Sequence, residues 1–218
     1  MDRDPTEQEA PRAPAIGGYV LGALLGRGGF ATVWEAAPEG GGAGLAIKVA
    51  HGDGGVIVER FRAEAEAMAA IGAPAVPRLV ASGRTESGRP YLVMERLAGE
   101  TLEARLSTLA RPPSLDVVAR AAQGILAALA RVHDAGLVHR DVKPANVFFA
   151  EPDGRAVLLD LGLVKTAAAR SAPAQGDLPP QADGPTRTGV AVGTPDYMAP
   201  EQIRAARSAP RPISTPSG

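Results

Sequence analysis

The order in which apolar residues change their spacing constrains this chain most. Up to about residue 94 the sequence reads as short strands around one helix, and beyond that mostly as helices. Strands grouped first and helices grouped second point to an α+β fold, a β-rich part followed by an α-rich one. The strand text is Tyr19-Val20-Leu21, Ala23-Leu24-Leu25, Thr32-Val33-Trp34, Leu45 to Val49, Leu79-Val80-Ala81 and Tyr91 to Met94. The helix among them is expected over Val58 to Ile71, with Phe61, Ala65, Met68 and Ala69 at helical spacing.

In the second part, Thr101 is placed to cap a helix bearing Leu102, Leu106 and Leu109 that Pro112-Pro113 would end. Ser114 is placed to cap a helix over 115–134, stopped at Gly136. Its expected apolar face is Val118, Ala121, Ile125, Leu129 and Val132, with Leu126 beside it. Val147 to Phe149 and Val157 to Leu159 read as a hairpin across Pro152-Asp153-Gly154. Residues 1–18 read as a flexible leader, and 166–189 as a long Ala/Pro/Gly/Ser-rich loop.

Bulk properties exclude several classes. A net charge of −1 gives no footprint for nucleic acid. There is no Cys for a disulfide or thiolate metal site, and His51, His133 and His139 make no ligand spacing. No run of about 18 apolar residues would span a membrane, so a cytoplasmic location is the default expectation.

Chemistry concentrates where the composition is sparing. Asn146 is the only asparagine, and the lysines are Lys48, Lys143 and Lys165 alone among 23 basic residues. Asn146 closes the string His139-Arg140-Asp141-Val142-Lys143-Pro144-Ala145-Asn146, on an irregular stretch after the long helix. There Asp141 can accept a proton from an attacking hydroxyl, the Asn146 carboxamide oxygen can bind Mg²⁺, and Lys143 can neutralise a transferring phosphoryl group. His139, between apolar neighbours, reads as a buried structural ring rather than an acid or base. Gly26-Arg27-Gly28-Gly29-Phe30-Ala31-Thr32-Val33 lies between two strands; it is either an ordinary hairpin turn or a phosphate-covering loop whose third glycine is Ala31. Lys48 is either a surface lysine or a phosphate ligand oriented by Glu64, with Glu66 the rival partner. Asp160-Leu161-Gly162 is a strand-end turn that would suit a second Mg²⁺ ligand.

Together with Gly193 to Glu201, which ends Ala199-Pro200-Glu201, these segments resemble the eukaryotic-like bacterial Ser/Thr protein kinases over about residues 19 to 203. The resemblance implies a bilobal fold: a β-rich N-lobe over 19–94 with one main helix, and a partial α-rich C-lobe over 95–204 that includes a long activation loop at 163–192. It implies transfer of the ATP γ-phosphoryl group to protein Ser/Thr hydroxyls. Gly26, Gly28 and Val33 would cover ATP; Ala46, Leu102 and Phe148 would stack on adenine beside the gatekeeper Met94 and the hinge Glu95 to Leu97. Lys48 and Glu64 would pair, Asp141 would be the base with Lys143 beside it, and Asn146 and Asp160 would hold Mg²⁺. Met68, Leu79, His139 and Leu161 would align the lobes, and Arg140 would bind an activation-loop phosphate. Thr186 and Thr188 match autophosphorylation positions, with a dimer as the expected arrangement for that reaction.

The sequence departs from the family after Glu201. The family's central buried helix and the helices behind it are not recognisable, which leads to two expectations: exposed apolar surface on helix 115–134, and a C-terminally truncated domain. Residues 205–218 read as a non-family tail. Shifting the frame near residue 204 permits Ala-Asp-Leu-Tyr-Ala-Leu-Gly, text similar to the start of the missing helix. The competing readings are an inactive kinase-like nucleotide-binding or interaction module, and a non-functional product of a disrupted gene.

Overall fold

The computed structural model describes residues 14–161 together with residues 165 and 166. Two compact units make up the chain, Met1–Asp53 with Val80–Arg96, and Gly54–Leu79 with Leu97–Gly218.

The first unit is a five-stranded antiparallel sheet in the order β1-β2-β3-β5-β4. Its strands are β1 (Tyr19–Arg27), β2 (Ala31–Pro38), β3 (Leu45–Ala50), β4 (Leu79–Arg84) and β5 (Pro90–Glu95), with Leu79 itself grouped in the other unit. The two apolar triplets read near residues 19–25 join as one strand whose register against β2 slips between Leu21 and Leu24 and again before Gly26. β3 is central, which explains its nearly unbroken apolar text. Its neighbours are antiparallel, so directly opposed residues share a face and successive residues alternate. Trp34, Ile47 and Val93 therefore fall on one face, where they form a core with Ile16, Ala36, Leu45 and Val49.

The second unit holds α1 (Gly55–Ile71), β6 (Gly99–Thr101), α2 (Leu102–Ser107), α3 (Leu115–Asp134), β7 (Leu137–Val138), β8 (Val147–Ala150), β9 (Arg155–Leu158) and β10 (Lys165–Thr166). β6, β8 and β9 form one sheet, and β7 pairs with β10. The expected hairpin is β8 and β9, with Phe148 opposite Val157.

Four expectations need correction. α1 buries Phe61, Glu64, Ala67, Met68 and Ile71, so Ala67 takes the place assigned to Ala69, which is exposed. α2 stops at Ser107, before Leu109 and the prolines. The Ser107 and Thr108 hydroxyls donate back to the Ala104 and Arg105 carbonyls at 2.7 and 3.0 Å, and so satisfy groups a further turn would have used. Ser114 occupies the N-cap position of α3 without a side-chain cap bond, whereas Thr101 does cap α2, accepting from the Ala104 N–H at 3.1 Å. On α3 the buried residues are Ala128 and Val132, while Val118 is exposed. Gly124 faces β9 closely enough that an added Cβ would lie 3.3 Å from the Cβ of Ala156. The expected exposed apolar surface is present at Leu115, Val117, Val118 and Leu126.

Candidate active site

In the first unit, sheet register gathers the predicted nucleotide residues. Lys48 of β3 stands opposite Val33 of β2 and Leu92 of β5, and Ala46 stands opposite Glu35 and Met94. Val33, Ala46, Lys48 and Met94 thus share the face turned away from the Trp34–Ile47–Val93 core. Lys48 is half-buried in a strand whose other residues are all buried. Gly26 pairs with Val33, and the chain turns through Gly28 to Phe30, closed by the Gly28 N–H donating to the Ala31 carbonyl at 2.9 Å. A Cβ added at Gly26 or Gly29 would meet no atom within 4 Å, so the turn has open room on those sides. Glu95 ends β5 and is half-buried, as is Leu97, the first residue of the next stretch of the second unit.

In the second unit the string from His139 to Asn146 is held by hydrogen bonds rather than by regular structure. Pro144–Asn146 makes one 3-10 turn, and Asn146 is buried. Its carboxamide nitrogen donates to Asp141 twice, to the backbone carbonyl and to Oδ2, each at 2.9 Å. Lys143 Nζ lies 2.9 Å from the same Oδ2. The Asp141 side chain is 10% exposed. One carboxylate oxygen therefore receives a carboxamide N–H and an ammonium, and among the described residues Oδ1 accepts no bond.

His139 is buried, at 1% exposure. Its Nε2 lies 3.1 Å from the Leu159 carbonyl, and the Asp141 N–H donates to Nδ1 at 3.4 Å. A carbonyl only accepts, so Nε2 carries the proton and Nδ1 accepts: the neutral ring satisfies both contacts. Burial also holds the imidazole below its ordinary 6.5, against smaller opposing effects from its bond to Leu159 and from the Asp141 and Asp160 charges. The Leu159 N–H in turn donates to the Asn146 carbonyl at 2.9 Å. The Leu159 backbone thus joins His139, Asn146 and the approach to Asp160. Sequence reasoning gave Leu159 no such role, because a backbone contact leaves no mark on residue type. Asp160 is exposed, and it shares with Arg140 a left-handed backbone, φ 56° and 68°, that side chains other than glycine seldom adopt.

Glu64 is buried on α1 at 3% exposure, while Glu66 is exposed and paired with Arg62 at 2.7 Å. Of the two carboxylates considered, Glu64 is the one on the inward face. Phe148 and Leu102 are half-buried in the second unit. Gly162, Thr186, Thr188 and the Gly193 to Glu201 segment lie outside the described residues.

The Asn146 carboxamide and the Asp160 carboxylate carry hard oxygen donors, the kind Mg²⁺ takes together with substrate phosphates rather than in an all-protein cage. No cluster of three His, Cys, Asp or Glu suited to a metal occurs among the described residues.

A model of the protein kinase domain matches residues 19–213. Serine/threonine-protein kinase Pkn1 of Myxococcus xanthus is 36% identical over 192 residues, covering 85% of this chain and 25% of Pkn1. Serine/threonine-protein kinase PknL of Mycobacterium tuberculosis is 35% identical over 196 residues, 88% of this chain and 45% of PknL. The chain thus spans less than half the length of these relatives. The crystal structure of the Mycobacterium tuberculosis PknI kinase domain shares the fold, with a TM-score of 0.58 over 71% of this chain and 64% of that one, at 24% identity.

Proposed function

Because the chain belongs to the protein kinase domain family, with bacterial Ser/Thr kinases as its relatives, we propose that it transfers the γ-phosphoryl group of Mg·ATP to Ser and Thr hydroxyls of proteins. The observation that carries this reading is the Asp141 carboxylate. Lys143 and Asn146 bind one of its oxygens, which holds the carboxylate in one orientation and leaves the other oxygen to accept from a substrate hydroxyl. A base so held takes the hydroxyl proton as the new P–O bond forms.

The Asn146 carboxamide nitrogen is committed to Asp141, so its oxygen is the atom offered to Mg²⁺, with the Asp160 carboxylate as the second protein ligand. Bound there, Mg²⁺ would neutralise phosphate charge. In the first unit Lys48 binds phosphates, Gly26 and Gly28 let backbone approach them, and Val33, Ala46 and Met94 supply an apolar face for adenine beside Glu95. The left-handed backbone at Arg140 and Asp160 supports a functional reading, since strained residues gather at working sites. Arg140 is assigned to an activation-loop phosphate, and Thr186 and Thr188 to autophosphorylation, through a dimer. No described helix is long and apolar enough to cross a membrane. Proteins bearing Ser or Thr are the proposed partners, and a cytoplasmic location is proposed for the chain.

Incubation with γ-labelled ATP and Mg²⁺ tests the reading. Label is expected on Ser or Thr of added protein and on the chain itself, the latter lost in Thr186→Ala/Thr188→Ala. Thermal stabilisation by Mg·ATP without any label would overturn it.

A further inference from the structure

His51 follows the last residue of β3 and reaches the glycine turn of the same unit. The β2–β3 ladder ends at Ala31 opposite Ala50. The His51 N–H then donates to the Phe30 carbonyl at 2.9 Å, carrying the pairing one residue into the turn. The imidazole adds two ties: Nδ1 lies 3.3 Å from the Gly29 carbonyl oxygen and Nε2 lies 2.8 Å from Thr32 Oγ1. Nδ1 must carry the proton, and Nε2 of the neutral ring accepts from the Thr32 hydroxyl. In a protonated ring Nε2 donates and the hydroxyl accepts, so the bridge persists in both states. Thr32 is a firm anchor: it is buried and stands opposite both Arg27 and Val49.

Gly29 has no side chain, and a Cβ added there would meet no atom within 4 Å, so side-chain packing does not hold the turn at this position. In a trans peptide the carbonyl and the following N–H point in opposite directions. Holding the Gly29 carbonyl therefore sets the direction of the Phe30 N–H, and N–H groups of such a turn are the donors for phosphate oxygens. We propose that His51 is a positioning residue for the nucleotide phosphates, acting through the Gly29–Phe30 peptide with Thr32 as its anchor. The inference rests on the phosphotransfer reading above.

The test uses the full chain as His51→Ala, Thr32→Val, their combination and the conservative Thr32→Ser. Steady-state kinetics give KM for Mg·ATP and kcat; amide hydrogen exchange on nucleotide-free protein reports the turn itself. Loss of the bridge is expected to raise KM roughly three- to tenfold, the size of one or two net hydrogen bonds, with a smaller change in kcat. Exchange at the two hydrogen-bonded amides of the turn, those of residues 28 and 51, is expected to quicken in both single variants, and the double variant to be no worse than His51→Ala. Thr32→Ser should behave as wild type. Unchanged KM and exchange in His51→Ala overturn the inference, as does an equal loss of kcat and kcat/KM accompanied by a fallen Tm. A wild-type chain that neither binds nor turns over Mg·ATP overturns the kinase reading, and the inference with it; wild type alone distinguishes that failure.

Discussion

The sheet of the first unit and the His139–Asp160 segment of the second place their candidate site residues by different means. In the sheet, Val33, Ala46, Lys48 and Met94 reach one face because strand pairing and a two-residue period put them there. Their placement depends on backbone ladders that any side chain of similar shape leaves intact. In the loop, Asp141 owes its position to three side chains and one peptide: His139, Lys143, Asn146 and the backbone of Leu159. Placement by register resists single substitutions; placement by buried hydrogen bonds does not.

The strongest challenge to this contrast is His139→Leu. It keeps an apolar volume but leaves the Leu159 carbonyl and the Asp141 N–H without their ring partner. Each buried unpaired group costs about 1–3 kcal/mol, and a base displaced by about 1 Å costs on the order of 10²-fold in rate. Denaturant unfolding and kcat check the two losses; a variant with wild-type kcat would show that the loop does not need the ring. A smaller effect is the pH dependence of stability. The folded ring resists protonation while the unfolded ring takes a proton below about 6.5, so the unfolded chain binds more protons in that range. Stability should fall as pH drops from about 6.5 and stop falling through this group once the folded ring protonates, with a shallower fall in His139→Leu. The sheet supplies the smallest effect. Ile47→Val, on the core face beside Lys48, should cost about 0.5–1.5 kcal/mol and leave Mg·ATP affinity as in wild type. A matching loss of affinity would show that register alone does not place Lys48.

The same contrast separates what was legible in the sequence. The strands showed as short apolar runs bounded by turns, and α3 by apolar spacing with Gly136 as its stop, where φ is 71°. Lys48 and Asn146 were conspicuous as rare polar residues in a biased composition. Gly124 and Ala128 were missed on α3 because small residues give little apolar signal while allowing the closest approach to β9. The end of α2 was missed because Ser107 and Thr108 stop it through their own hydroxyls, ahead of the prolines that looked decisive. The rings of His139 and His51 tie to the backbone of Leu159 and Gly29, 20 and 22 residues away along the chain, and spacing in sequence does not reveal such ties.

Asp141 is the proposed base, held in orientation by Lys143 and Asn146. Asp141→Asn tests it most directly, since the variant keeps shape and an accepting oxygen while removing the basic carboxylate. Single-turnover phosphotransfer with Mg·ATP should fall by about 10²–10⁴-fold, with Tm and Mg·ATP affinity close to wild type. Transfer at the wild-type rate would contradict the account.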